Sequence, residues 1–396
     1  MRSDRFNREL HPRQLLWLVY ALFLIAGVAQ AAIVPLLPRL AGRYGLSPTE
    51  TALLLALPGL ATLAVSVPAG LAADRFGARR VTLAAGAILA ISCLAQAAPS
   101  LGVLLLGRIG FGVAFGVVWT TGMAWLSEIA PARGAATLGP SVTCSSVGIM
   151  IGPAVGGVVA ERAGLGVPFL VIAFAAAAVT IPLALGSRRH GRAPRAADPP
   201  PATPRSLARL LRRPGVAAAA GGLIVSGAVS GTSQLLITSG LHRGGISTGQ
   251  IGLAFSAAAV CYIAVSATTV KLGDRAHTLR FNAAATTLLS LALLPALGGG
   301  NPFALVVALL LTAAPRAAVS TVAYSLAAGP DSDRGSVYGM LNGAWAGAMV
   351  LTPLLAGALD QRAGAQAGYL AVIVPSCVIA ATLVARSRPS RAYAAT

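Results

Sequence analysis

Twelve apolar runs, each long enough to cross a membrane as a helix, constrain the fold more than any other feature of the sequence. A helix that spans about 30 Å of hydrocarbon needs roughly 20 residues. Because 56% of the 396 residues are hydrophobic and only 10% are charged, the chain is too apolar for a soluble protein of this size. The pattern predicts an all-α integral membrane protein within a lipid bilayer. The runs lie approximately at 14–37, 50–72, 80–98, 101–125, 138–160, 166–186, 215–239, 249–271, 279–297, 302–325, 337–357 and 366–385.

The two halves of the chain repeat each other with an offset of about 200 residues. Several landmarks recur in the same order and nearly the same register, which predicts two pseudo-symmetric six-helix bundles, an architecture common among secondary transporters. We predict an N-terminal bundle at 1–186, a cytoplasmic linker at 187–214 with a surface helix around 206–213, and a C-terminal bundle at 215–396. The matched landmarks are Asp74-Arg75 with Asp274-Arg275, Pro153 with Pro353, Gly157 with Gly357, Glu161-Arg162-Ala163-Gly164 with Gln361-Arg362-Ala363-Gly364, and Arg133-Gly134 with Arg334-Gly335.

The basic residues predict the orientation of the chain. With the N-terminus inside, 23 Lys and Arg residues fall on the inner side and 5 on the outer side, and inner loops are the more basic ones in membrane proteins. Both termini are therefore predicted to be cytoplasmic. Arginine almost completely replaces lysine and alanine and glycine are abundant, which points to a bacterial genome and a bacterial plasma (inner) membrane. The arginines are scattered in short loops, so the net charge of +19 does not predict a nucleic-acid partner.

A stripe of glycines marks the fifth run. Gly148, Gly152 and Gly156 recur every four residues and Gly157 follows, so on a helix they form a bare face that another helix can approach closely. Pro153 within the stripe predicts a bend. Two interpretations stay open, a static packing face and a hinge between bundles that rock on each other.

The loop between the second and third runs contains Gly70, Asp74, Arg75, Gly77 and Arg79. Together with the glycine stripe of the fifth run, this loop resembles the major facilitator superfamily and, within it, the twelve-helix drug:proton antiporters. Two further stretches agree with the resemblance, Arg108 to Gly112 in the fourth run and Glu128 to Gly134 after it.

The resemblance implies a transporter that exports a drug or natural product by alternating access, with the loop acting as a latch between the bundles. Ala78 stands where the family usually has a basic residue. We therefore expect Arg79, paired with Glu128, to take that part. A small organic substrate, coupling to protons and a monomeric chain are also expected.

Two arginines lie inside apolar runs, where a charge is costly and usually functional. Arg108 is about 10 Å from the outer end of the fourth run, so it either faces a cavity or extends to the interface. Arg316 lies nearer the middle of the tenth run, in a polar stripe at helical spacing. It either faces a cavity or binds backbone carbonyls that the neighbouring Pro315 leaves free.

The resemblance also implies that the first, fourth, seventh and tenth helices line a central cavity. For any single Ser or Thr, a hydrogen bond to its own helix is the alternative to ligand contact. The candidate substrate-binding residues are Tyr20, Gln30, Arg108, Trp119, Met123, Gln234, Arg316, Tyr324, Asn342 and Trp345.

All acidic residues and histidines fall outside the central parts of the runs, so the sequence offers no proton carrier in the membrane core. Either a peripheral group such as Glu50 or Glu128 couples transport to protons, or the chain is not a proton antiporter of the usual kind. A lone Arg316 also favours an anionic substrate, which leaves an anion-selective uniporter or exchanger as an alternative. A sensor with the same fold that has lost transport is another.

The sequence contains no phosphate-binding loop for ATP. It also lacks a catalytic triad at any predicted interface and metal-ligand spacing around its four cysteines. We therefore predict no cofactor, no metal site and no enzymatic activity.

Overall fold

The computed structural model describes residues 11–130, 135–186, 210–298, 300–327 and 334–387. Within these residues twelve helices are long and apolar enough to cross a membrane, which confirms the predicted fold class. Four of them begin with a proline, whose missing N–H costs nothing in a first helical turn. We number them α1 Pro12–Tyr44, α2 Pro48–Phe76, α3 Ala78–Ala97, α4 Leu101–Ile129, α5 Thr137–Ala163, α6 Val167–Gly186, α7 Pro214–Arg243, α8 Thr248–Arg275, α9 Leu279–Leu297, α10 Pro302–Leu326, α11 Val337–Ala363 and α12 Ala365–Ser387.

Several of these helices contain a turn that is not α-helical. In α1 the α-helix Pro12–Ala32 is followed by a 3₁₀ turn at Val34–Leu36 and a short helix at Leu37–Tyr44. In α7 a π-helical turn at Ser233–Ile237 lies at the position that corresponds to that 3₁₀ turn in the repeat. A second π-helical turn lies in α4, at Val118–Gly122. Such turns arise where the regular hydrogen-bond ladder is interrupted, and they are frequent at functional sites.

The end of α1 extends beyond the predicted run at 14–37. Arg39 and Arg43, which follow that run and count among the five basic residues predicted on the outer side, lie in the helix Leu37–Tyr44 and not in a loop. The guanidinium of Arg39 donates a hydrogen bond of 3.1 Å to the carbonyl oxygen of Ala160 at the end of α5. A helix can extend beyond the hydrocarbon, so its basic residues reach the aqueous side without leaving the helix.

The chain forms two compact units. Unit 1 comprises Met1–Tyr44, Leu57–Ala196 and Ser247–Ser256, and unit 2 comprises Gly45–Ala56, Ala197–Ile246 and Ala257–Thr396. Most of α1 to α6 therefore belongs to unit 1 and most of α7 to α12 to unit 2. The predicted bundle boundaries at 186 and 215 stay a prediction.

Some sequence-based expectations fall on parts of the chain that the structure does not describe. The linker lies almost wholly outside the described residues, and of its predicted surface helix only 210–213 are described. The landmark Arg133-Gly134 also lies outside them.

The glycine stripe of α5 packs against α1 inside unit 1. A Cβ atom at Gly148 would overlap the carbonyl oxygen of Leu24, and one at Gly156 would overlap that of Ala32. Between them, a Cβ atom at Gly152 would lie 2.8 Å from the carbonyl oxygen of Val28. The two backbones are in contact because these residues have no side chain. The packing role is thus realised within one unit, and the hinge role of the stripe stays a prediction.

Pro153 interrupts the hydrogen bonding of α5 without ending the helix, which runs on to Ala163. The N–H of the next residue, Ala154, donates to the hydroxyl of Ser256 at 3.1 Å. The segment Ser247–Ser256 is fixed to α5 a second time by Glu161, whose carboxylate accepts hydrogen bonds from the Ser247 hydroxyl at 2.9 Å and the Gly249 N–H at 2.6 Å.

Unit 2 contains a similar close contact between helices, but its glycines lie on α7, the counterpart of α1, and not on α11, the counterpart of α5. A Cβ atom at Gly227 of α7 would overlap the carbonyl oxygen of Trp345, and one at Gly231 would lie 2.8 Å from that of Met349. The second half therefore packs α7 on α11 as the first half packs α1 on α5. The turn glycines repeat as well, because Gly164 (φ +104) and Gly364 (φ +82) both adopt the left-handed region that favours glycine.

We expect the replacement Gly148→Ala to lower the free energy of unfolding by about 1–3 kcal/mol, because the new Cβ atom forces α1 and α5 apart. The matched control is Gly139→Ala on the same helix, where an added Cβ meets nothing within 4 Å. The apparent midpoint of thermal unfolding of the purified protein in detergent measures the difference. Equal midpoints for the two variants would contradict the packing role.

Candidate functional site

The polar stripe predicted on α10 connects that helix to two neighbours in unit 2, and its members are Thr312, Arg316, Ser320 and Tyr324. The hydroxyls of Ser320 and Ser226 of α7 lie 3.3 Å apart. The hydroxyl of Tyr324 donates to the amide oxygen of Asn342 of α11 at 2.5 Å. The fourth member, Thr312, instead binds the carbonyl oxygen of Leu309 on its own helix. The stripe is therefore a line of contacts with α7 and α11 and not a lipid-facing surface.

Arg316 is the central residue of this stripe. Its guanidinium donates a hydrogen bond of 2.6 Å to the hydroxyl of Ser230 on α7 and lies over the ring of Tyr262 on α8, 5.1 Å from the ring centroid. The side chain is half-buried, and its Nε has no hydrogen-bond partner. In the described part of the chain Arg316 forms no ion pair with a carboxylate and no hydrogen bond to a backbone carbonyl. These contacts do not match the alternative in which Arg316 binds backbone carbonyls that Pro315 leaves without a hydrogen-bond donor.

The position of Arg316 along α10 keeps its charge within the membrane span. At 1.5 Å per residue it lies about 21 Å from the start of the helix and about 15 Å from its end. An arginine side chain is too short to reach the aqueous interface from there. The guanidinium is always protonated in proteins, so a full positive charge is fixed inside unit 2.

Several contributors to this region were not predicted from the sequence. Tyr262 supplies the ring beneath Arg316, and one turn further along α8 the Ser266 hydroxyl lies 2.7 Å from that of Thr321 on α10. The four-residue spacing of Tyr262 and Ser266 within the apolar stretch 257–267 of α8 was the signal that could have revealed them. Another, Tyr338, packs edge-to-face on Tyr324 with ring centroids 5.5 Å apart.

The remaining candidates of unit 2 lie near this stripe in sequence or structure. Gln234 is half-buried and lies in the π-helical turn of α7, where its amide makes no side-chain hydrogen bond to another described residue. Asn342 and Trp345 are exposed on α11, at 36% for Trp345. Their direct contact with a ligand stays a prediction.

An aromatic cluster is the corresponding feature of unit 1. Trp119 packs edge-to-face on Phe23 of α1, with ring centroids 5.3 Å apart, and its ring lies 6.2 Å from that of Phe115. The indole N–H is buried and has no partner among the described residues. One turn further on, the sulfur of Met123 accepts a hydrogen bond of 3.1 Å from Ser141. Trp119 lies in the π-helical turn of α4 and Gln234 in that of α7, so each of these two π-helical turns contains a candidate substrate-binding residue.

Other candidates of unit 1 are part of its packed interior. The Tyr20 hydroxyl donates to the carbonyl oxygen of Thr137 at 2.8 Å. Arg108 is 1% exposed and donates to the amide oxygen of Gln96 of α3 at 3.4 Å, with its guanidinium 5.4 Å from the Phe111 ring centroid. The structure places Arg108 inside unit 1 and not at an interface. Gln30 is half-buried on α1.

The predicted latch residues surround the turn between α2 and α3. Gly77 has φ +90 and ψ 138, a conformation that disfavours any residue with a Cβ atom. Asp74 is half-buried and Arg75 is exposed over the ring of Phe76. The guanidinium of Arg79 donates to the carbonyl oxygen of Ala184 at 3.3 Å. Gly70 of α2 and Glu128, in the last turn of α4, are half-buried, and the pairing of Glu128 with Arg79 stays a prediction.

Three comparisons relate this chain to known proteins. A family model described as Major Facilitator Superfamily matches residues 19–245 and 236–395. An uncharacterized MFS-type transporter from Schizosaccharomyces pombe is 34% identical over 152 residues, which is 35% of this chain and 34% of that protein. The chain thus spans about a third of the length of the curated relatives it matches.

Solved structures share the fold at low sequence identity. A bacterial homologue of the human lysosomal transporter Spinster, in an inward-facing and unoccupied conformation, has a TM-score of 0.77 and 16% identity, with 98% of this chain and 100% of that chain covered. A D-xylose-proton symporter has a TM-score of 0.72 and 16% identity, with 95% and 98% covered.

We expect the replacement Arg316→Met to raise the stability of the ligand-free protein by about 1–2 kcal/mol, because it removes a charge without a counter-ion from the interior of unit 2. The apparent midpoint of thermal unfolding in neutral detergent measures the change. The control is Arg162→Met at the exposed end of α5, which should leave the midpoint unchanged. A lower midpoint for Arg316→Met would mean that the guanidinium holds unit 2 together.

Proposed function

The chain belongs to the major facilitator superfamily of multi-pass membrane transporters, and from this premise we propose that it exports a small organic compound by proton-coupled alternating access. The observation that carries the proposal is the polar stripe of α10, with Arg316 held within the span by Ser230 and Tyr262. A few hydrogen-bonding groups among aromatic and apolar side chains suit an amphipathic organic molecule. Export, and membership of the drug:proton antiporters, are supported by the α5 glycine stripe and by the latch loop.

Proton coupling is proposed through a peripheral carboxylate, because no acidic residue lies in the middle of a span. Glu50, in the first turn of α2, is exposed and accepts a hydrogen bond of 2.8 Å from the N–H of Ser47. Glu128 near the end of α4 is the second candidate. The structural neighbour named as a proton symporter supports the idea that this fold accommodates proton coupling.

The proposed location is a bacterial plasma membrane, with both termini cytoplasmic and a monomeric chain. The orientation rests on the excess of basic residues on one side. The curated relatives come from fungi, so the bacterial source rests on the arginine-rich, alanine-rich composition alone.

The proposed function is tested with the purified full-length chain in phosphatidylcholine vesicles that are acidic inside. The probes are three radiolabelled compounds of one shape, namely 2-naphthoate, 2-naphthamide and 2-naphthylmethylammonium. We expect at least one to accumulate above protein-free vesicles, and a protonophore to abolish the accumulation. If folded protein moves none of the three in either gradient direction, the proposal of an organic-compound transporter fails.

The latch is tested by Gly77→Ala. A Cβ atom there meets nothing within 4 Å, so the substitution costs only backbone strain, about 1–2 kcal/mol. The matched control is Gly164→Ala in the same unit, where φ is +104 and the space is equally open. We expect Gly77→Ala to slow probe accumulation severalfold at unchanged binding affinity, and Gly164→Ala to have no such effect. Equal rates in both variants would argue against a latch at this turn.

A further inference from the structure

We infer that unit 2 contains a binding site for the anionic group of an organic substrate, centred on Arg316 of α10. The inference rests on the proposed function and narrows it to organic anions with an apolar body. A carboxylate, sulfonate or phosphate oxygen would contact the guanidinium, while the rest of the compound lies against aromatic and apolar side chains.

The contacts of Arg316 leave its charge without a counter-ion. In the described residues it has one neutral hydroxyl partner, Ser230, and one ring, Tyr262. The acidic residues of the described part of unit 2 are Glu50, Asp274 and Asp360, and none of them forms an ion pair with it. A cation–π contact and a neutral hydrogen bond together compensate only part of the cost of a charge in hydrocarbon.

The geometry of the guanidinium favours an anion over a neutral acceptor. Its planar fork offers five N–H donors, and carboxylate and phosphate oxygens accept two of them in parallel. One donor is directed to Ser230, and the buried Nε has no partner. Because the side chain is half-buried, part of it remains open to a small molecule. A cationic compound would be repelled by the same charge.

The neighbouring turns of α10 supply groups for the remainder of the substrate. One turn towards its C-terminal end, the half-buried Ser320 hydroxyl lies 3.3 Å from the buried hydroxyl of Ser226 and can accept from Ser226 while it donates to an additional oxygen. A further turn on, the ring of Tyr324 packs with that of Tyr338. A positive charge followed by hydroxyls and aromatic rings matches an aryl or alkyl acid.

The test measures equilibrium binding of radiolabelled 2-naphthoate and 2-naphthamide to the full-length chain in phosphatidylcholine vesicles, which contain no anionic lipid. The two probes have the same shape and differ in charge. We expect naphthoate to bind about tenfold tighter or more, since hydrogen bonds to a charged group are the stronger ones. Arg316→Gln should reduce naphthoate affinity to that of naphthamide and leave naphthamide within about twofold.

The control for loss of one positive charge in unit 2 is Arg280→Gln, at an exposed position near the start of α9, which should keep the naphthoate preference. Arg316→Lys preserves the charge but not the fork. We expect it to bind naphthoate severalfold more weakly than the native chain, which decides the matter if Arg316→Gln does not fold.

Equal binding of the two probes, no binding of naphthoate, or a preference that survives Arg316→Gln overturns the inference. Naphthoate binding without accumulation in vesicles supports the anion site and rejects the transport function. Accumulation of a probe without any preference for the carboxylate rejects the anion site alone.

Discussion

Direct backbone contact between helices is the interaction on which both units depend. Lipid tails are as apolar as leucine side chains, so burial of apolar surface does not hold one membrane helix against another. Contact must come from close packing, and glycines on α5 and α7 provide it against α1 and α11. One helix of each contact, α1 or α7, is the most enclosed span of its half, with 72% and 78% of the apolar windows buried, while the partners α5 and α11 are more exposed, at 33% and 22%. With these two helices fixed, α3, α4, α9 and α10 can present polar groups from defined positions.

Arg108 and Arg316 give the same signal in the sequence, an arginine within an apolar run, but their surroundings in the structure differ. Arg108 is enclosed between α3 and α4 with a glutamine amide and a phenylalanine ring, and it belongs to the packing of unit 1. Arg316 has a hydroxyl and a tyrosine ring, is only half-buried, and lacks an anion. Arg108 lies about 10 Å from one end of α4 and Arg316 about 15 Å from the nearer end of α10, yet Arg108 is the more deeply buried of the two, so position along the helix does not explain the difference. The separation comes from which neighbouring helix faces each side chain.

The helices and their repeat could be predicted because hydropathy and span length depend on local sequence alone. The helical turn with Arg39 and Arg43 was missed because prolines and charges near the end of an apolar run also indicate a loop. Tyr262 was missed for another reason. Its importance depends on which face of α8 is turned towards α10, and the sequence of α8 alone does not determine this. The glycine stripe predicted a close contact but not its partner, since a bare face suits any helix that reaches it.

The π-helical turns in α4 and α7 have a consequence for how these helices tolerate change in length. A π turn holds one residue more than the α-helical turn it replaces, so deletion of one residue from Val118–Gly122 or Ser233–Ile237 can restore a regular helix without shortening a loop. Because the deleted residue is the extra one of the π turn, side chains beyond the turn would keep their directions relative to those before it. An alignment gap in the middle of a span therefore need not break the helix. It would change the direction of Trp119 or Gln234 within the turn itself, while the rest of the helix keeps its contacts.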